Sequence, residues 1–196
     1  YYTDGQADEG RAWLWYGPTG ASGIEGSNSW NVQRDQSEAW FGYSVAGAGD
    51  VNGDGLGDLI IGTYSGDAGG RTDAGPTYVV FGSSSGFGAS VALSSLTGST
   101  GLVINGIAAG DRAGQAVSDA GDVNGDGIGD LIIGAPSADP DGRTDAGASY
   151  VVFGTSGGFA SPIELSALNG SNGFVLNGVS AGDFSGKSVS AAGDVN

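Results

Sequence analysis

The chain has 196 residues, enough for one domain with a real core, and at 39% hydrophobic it does not have the composition of a disordered chain. Its net charge of −16, from 22 acidic and 6 basic residues, excludes nucleic acid and anionic lipid surfaces as partners. There is no Cys for a disulfide, no His for a proton relay, and no apolar run near the roughly 18 residues that cross a membrane, so no membrane insertion is expected.

With 41 glycines the chain is too glycine-rich for long helices, yet it lacks the three-residue period of collagen. Its start, Tyr1-Tyr2-Thr3 without Met or leader, is what a processed or excised segment would show. Residues 53–124 and 125–196 align without a gap, with about 45 identities in 72 positions. Residues 1–52 read as a third, diverged and partial copy. In it, 8–17 matches 73–82, and Phe41-Gly42 comes seven residues sooner than Gly114 and Gly186 do in the later copies.

The loop Asp50-Val51-Asn52-Gly53-Asp54-Gly55-Leu56-Gly57-Asp58 follows. It returns as Asp122-Val123-Asn124-Gly125-Asp126-Gly127-Ile128-Gly129-Asp130, and its beginning returns again as Asp194-Val195-Asn196. Oxygen side chains fall at positions 1, 3, 5 and 9, and glycines let alternate residues face one point. A hard cation such as calcium wants six to eight oxygens, several of them carboxylates, and this pattern supplies them. The expected ligands are Asp50, Asn52, Asp54, the Leu56 carbonyl and Asp58. In the second loop they are Asp122, Asn124, Asp126, the Ile128 carbonyl and Asp130. Asp194 and Asn196 begin a third set. An EF-hand would carry Glu at position 12, where this chain has Ile61 and Ile133, so the ninth-position Asp must close the site and a strand must leave it. Two such sites in separate blades are expected to behave nearly independently.

Four strand-like runs follow in each full repeat; in the last copy they are 130–134, 149–153, 174–177 and 187–192, separated by turn residues. Leu59-Ile60-Ile61, Tyr78-Val79-Val80-Phe81 and Tyr150-Val151-Val152-Phe153 do not alternate polar with apolar, so they are expected to be buried on both faces. The connections are too short for parallel strands with crossover helices. The expected fold is therefore all-β: β-propeller blades of four antiparallel strands in an incomplete arc of about three blades. The rival is a parallel β-helix, for which 72 residues is a long coil. The stretch 163–168 reads equally as a short helical turn or an extra edge strand. Gly70-Arg71-Thr72-Asp73 and Gly142-Arg143-Thr144-Asp145 read either as recognition loops or as turns pinned by an Arg–Asp pair. Asp139 and Asp141 read as a weak second cation site or as solvated loop acids.

Phe41-Gly42-Tyr43-Ser44-Val45, the loop from Gly49 to Gly55, and Leu59-Ile60-Ile61-Gly62 together resemble the FG-GAP repeat of integrin α-subunit propellers and bacterial surface proteins. The second copy carries Gly134-Ala135-Pro136 literally but has Ala113-Gly114 in place of Phe-Gly. The third has Ser185-Gly186, and the first ends in Gly62-Thr63-Tyr64. The resemblance covers nearly the whole chain. It implies calcium in the loops, an extracellular or cell-surface location, and a ring with more blades than this chain supplies.

Catalysis is not expected. Gly82-Ser83-Ser84-Ser85-Gly86 matches a nucleophile elbow on paper, but no His stands behind it. Paired carboxylates of glycosidase type are already committed to the loops. Asn169-Gly170-Ser171 fits a glycosylation acceptor and equally an Asn-Gly turn. Two readings remain. One is an extracellular module for adhesion or for binding a protein or glycan, with Trp13, Trp15, Trp30 and Trp40 as candidate contacts. The other is a structural repeat that assembles with further copies of itself, or the non-catalytic propeller of a secreted hydrolase. The integrin-type adhesion cation pattern Asp-x-Ser-x-Ser is missing, since Asp35-Gln36-Ser37-Glu38-Ala39 lacks the last Ser. Repeats with uncovered ends are expected to associate rather than stand alone as monomers.

Overall fold

The computed structural model describes residues 11–15, 29–33, 39–87 and 90–193. Asp194, Asn196, the 35–38 stretch and the side chains of Trp13, Trp15 and Trp30 lie outside that description. The strands in chain order are β1 (Arg11–Trp15), β2 (Ser29–Gln33), β3 (Phe41–Gly49), β4 (Asp58–Thr63), β5 (Thr77–Val80), β6 (Ser90–Ala92), β7 (Gly101–Asn105), β8 (Ala116–Gly121), β9 (Asp130–Ala135), β10 (Ala148–Val152), β11 (Ile163–Glu164) and β12 (Gly173–Asn177). Short 3-10 turns at Leu93–Ser95, Pro140–Gly142 and Leu165–Ala167 are the only helical pieces among the described residues.

Two complete blades result. In the first, β3, β4, β5 and β7 pair antiparallel in that order; in the second, β8, β9, β10 and β12 do the same. β1 and β2 form an antiparallel pair ahead of them. The chain is thus all-β, an incomplete propeller-like arc. A repeat frame starting at Gly53 cuts through a blade, because each blade takes its first strand from the repeat before.

Burial follows the non-alternating runs. Ile60, Val79, Leu102 and Ile104 of the first blade pack toward the second, against Leu131, Ile133, Tyr150 and Val152. The opposite face, with Ile61, Tyr78 and Val80, packs with Ala12, Phe41, Leu93 and Leu96. A central blade is therefore apolar on both sides, which is why its strands cannot alternate. Close approach between blades also explains Gly62: a Cβ there would collide with the Gly114 carbonyl, and Gly134 meets Gly186 in the same way.

The ambiguous stretch 163–168 is both things at once. Ile163–Glu164 adds a parallel edge strand to β7 of the preceding blade, with Ile163 opposite Ile104, and Leu165–Ala167 then turns as a 3-10 helix. Its counterpart β6 laces onto β2 in the same parallel sense. Pairing is antiparallel within a blade and parallel where one repeat reaches back to its predecessor. The strand expected at 187–192 does not form, although 187–193 is described. In the earlier copies the matching stretch pairs with an Asp-Leu-Ile-Ile strand.

Candidate metal centre

Both Asp-rich loops connect the first and second strands of a blade, and their hydrogen bonds are nearly superimposable. In the first, Asp50 accepts the Asp54 N–H (3.0 Å) and the Gly55 N–H (2.8 Å), while Asn52 Oδ1 accepts the Asp54 N–H at 2.9 Å. Asp54 Oδ1 accepts the Leu56 N–H at 2.8 Å, and the Asn52 amide donates to Asp54 Oδ2 at 2.9 Å. In the second, Asp122, Asn124 and Asp126 accept from the N–H groups of Asp126, Gly127 and Ile128 at 2.8–3.0 Å. The side chains at positions 1, 3 and 5 curl the loop around themselves, as short Asx oxygens do.

The ninth-position acids behave differently from the rest. Asp58 and Asp130 are buried, and each braces its loop with both oxygens. Asp58 takes N–H groups from Val51 (2.9 Å) and Gly82 (2.8 Å); Asp130 takes them from Val123 (2.8 Å) and Gly154 (2.9 Å). Each thus ties loop, second strand and the end of the third strand together. Burial pushes both carboxyls above their ordinary range, against the pull of these N–H groups, and repulsion from Asp54 and Asp50, or from Asp126, adds to the rise. No Arg or Lys forms an ion pair with either loop among the described residues. Leu56 and Ile128 are half-buried and lie over Gly82 and Gly154, where a Cβ would collide with them.

As they stand, no three acidic side chains among the described residues gather closely enough to hold a metal ion. The donor chemistry fits a hard cation nonetheless: three carboxylates, an amide oxygen and a carbonyl in nine residues, with negative charge unrelieved by any cationic side chain. Each carboxylate oxygen bonded to one N–H keeps a second lone pair.

The loops touch one another. The Gly129 N–H donates to the Asp50 carbonyl at 2.9 Å, and the Thr155 N–H donates to the Val51 carbonyl at 2.9 Å. Adjacent loops share backbone hydrogen bonds from blade to blade.

The Arg loops resolve toward pinned turns. Arg143 pairs with Asp141 at 2.9 Å, so Asp141 is not a free ligand, while Asp139 accepts the Asp145 N–H at 2.7 Å. Arg71 instead reaches into the next repeat: it bonds Glu164 at 2.6 Å and the Gly106 carbonyl at 2.9 Å, and Asn105 bonds the other Glu164 oxygen at 2.6 Å. Sequence reasoning missed this clasp because its members lie 93 residues apart.

An aromatic corner also escaped it. Trp40 lies 5.7 Å from Tyr64 and 6.3 Å from Tyr43, and Tyr43 and Tyr64 are 5.0 Å apart. Arg112 stacks over Tyr64 at 4.8 Å and donates to its hydroxyl at 3.0 Å. The available signal was Tyr64, which stands where the second copy has Pro136.

Comparison with known proteins agrees with this architecture. Residues 41–80 and 115–152 match the family model described as FG-GAP repeat, so each complete blade carries one FG-GAP repeat. The chain is also 36% identical over 107 residues to a phosphatidylinositol-glycan-specific phospholipase D of Bos taurus. That alignment covers 55% of this chain and 12% of the relative. FG-GAP repeats are typical of extracellular or secreted proteins, and no described helix is long and apolar enough to cross a membrane.

Proposed function

We propose that these FG-GAP repeats form a calcium-stabilised, non-catalytic module of an extracellular protein that presents a blade surface to a protein or glycan ligand. The observation that carries the calcium reading is the pair of nine-residue loops in adjacent blades with the same oxygens, the same self-bonding and the same lack of a cationic partner. Asp50, Asn52, Asp54, the Leu56 carbonyl and Asp58 would hold one ion, and Asp122, Asn124, Asp126, the Ile128 carbonyl and Asp130 a second. The ion would neutralise the crowded carboxylates and fix the loops on which neighbouring blades lean.

A ligand that binds only the folded state contributes about 2.7 kcal/mol at 100 times its Kd. Titration calorimetry on chelator-treated protein should show two sites, with a higher melting temperature in calcium. Neither heat nor a shift at millimolar calcium would overturn the reading.

The aromatic corner favours ligand binding over simple assembly. Trp40, Tyr43 and Tyr64 offer rings on which a sugar or an apolar side chain can lie, and Tyr43 is exposed. Quenching of Trp40 fluorescence by a glycan ligand, lost in Tyr43→Ala, is the expected sign. The phospholipase D relative supports a second reading, in which the module is the non-catalytic propeller carried by a secreted hydrolase. The absence of His and Cys from the sequence fits that role.

A further inference from the structure

At the end of the strands opposite the Asp-rich loops, a groove of about 790 Å³ opens between the two complete blades. One departure from the repeat lies beside it. In the first blade Phe41 meets Tyr78 edge-on, with ring centroids 5.6 Å apart. The matching position in the second blade is Ala113, and Tyr150, the counterpart of Tyr78, has no ring against it among the described residues. The Tyr150 side chain lines the space left open.

Two largely buried residues turn polar atoms into this groove without full partners. Tyr150 is 5% exposed, and its hydroxyl has no hydrogen bond among the described residues. Asp111 is 7% exposed; its Oδ2 accepts the Ala108 N–H at 3.0 Å, and its other oxygen has no partner among the described residues. Burial, with the Asp111 charge nearby, pushes the Tyr150 phenol up to about 12, so it stays protonated. Asp139 and Asp145 add negative charge to the rim. The one cation on the lining, Arg112, is turned toward Tyr64, over which it stacks and to whose hydroxyl it donates. Leu165, Leu168 and Val175 supply apolar wall.

We propose that this groove binds a primary ammonium group on an apolar stem, held by the free oxygen of Asp111 and the Tyr150 hydroxyl with its stem along Leu165, Leu168 and Val175. A largely buried carboxylate with no ion-pair partner among the described residues is poorly solvated, and a compact cation offsets that cost. The site is independent of the calcium reading: neither loop contributes a residue to it.

The test is calorimetric titration of the 196-residue chain in saturating calcium with cadaverine and with Nα-acetyl-lysine methylamide, using 1-pentanol as the neutral control. Saturable one-to-one binding of either amine, and not of pentanol, is expected; the tighter amine tells whether a free diamine or a lysine side chain is the better source. Asp111→Asn should weaken binding at least about tenfold, and Tyr150→Phe several-fold. Asp183→Asn, the exposed counterpart in the last repeat, should leave it unchanged. Ala113→Phe should close the groove and abolish binding while keeping a cooperative melt. If that variant does not fold, Val175→Trp, at an exposed position, blocks the same wall. Absence of saturable binding at millimolar amine overturns the proposal. So does equal binding by Asp111→Asn, which would show only attraction to an acidic protein.

Discussion

The two complete blades share most of their sequence, yet matching residues live in different surroundings. Val51 is fully buried, whereas Val123 is 49% exposed; Ile104 is 1% exposed, whereas its counterpart Leu176 is 52% exposed. Arg71 is clasped by Glu164 of the next repeat, whereas Arg143 pairs with Asp141 of its own loop; each also donates to a carbonyl 35 residues on, Gly106 or Gly178. The first blade has a described neighbour on each face, and the second has one on a single face. A blade's own sequence prepares an apolar face, but the adjoining repeat decides whether that face becomes core. Stability in such an array is a sum over neighbours.

The largest effect should come from the core residues that differ most. Ile104→Ala should cost about 3 kcal/mol, as cavity-forming substitutions in packed cores do. Leu176→Ala should cost about 1 kcal/mol or less, because water already reaches it. Chemical denaturation of both variants measures the contrast. Equal losses would mean that the outer face of the second blade is covered in solution, and light scattering would then show association.

The loop pair sharpens the comparison further. Asp54→Ala and Asp126→Ala should each remove one calcium site, whereas Asp119→Ala, outside the loops, should remove none. Through the Gly129 N–H to Asp50 carbonyl bond, the double variant should deviate from additivity by about 1 kcal/mol in calcium-dependent stability. Strict additivity would show that this backbone bond transmits nothing.

The clasp is a smaller matter, because its members are partly solvated. Arg71→Ala should cost roughly 1 kcal/mol and Arg143→Ala less, because Glu164 is partly buried and belongs to the next repeat whereas Asp141 is exposed in the same loop. Thermal melts in high salt should narrow the gap.

The smallest effect concerns pH. Burial raises the Asp111 carboxyl above its ordinary 3.8, the Ala108 N–H opposes this, and the charge of Asp139 adds to the rise. The neutral form is therefore favoured in the fold. Charging Asp111 costs stability as pH climbs from 3.8 through the raised folded value, and the loss persists above it. Asp111→Asn should melt slightly higher than the parent at neutral pH, and its advantage should fade as pH falls toward 3.8. An unchanged difference across that range would show that the Asp111 charge is not the cause.

The sequence by itself determined the strands and the loops, because both are written in local periodicity. Runs such as Leu59-Ile60-Ile61 can only be doubly buried strands, and Asp50 to Asp58 can only be a curled, oxygen-rich turn. The tertiary structure alone decided what happens between repeats. It turned Ile163–Glu164 into a parallel lace on β7, made Asp58 and Asp130 braces to the third strand, and joined the two loops through Gly129. It also placed Asp111 and Tyr150 on one groove. The physical reason is separation along the chain. A repeat's own pattern fixes which residues face outward, but the partner they meet comes from the next copy, where a single change such as Phe to Ala is felt only once the blades have packed.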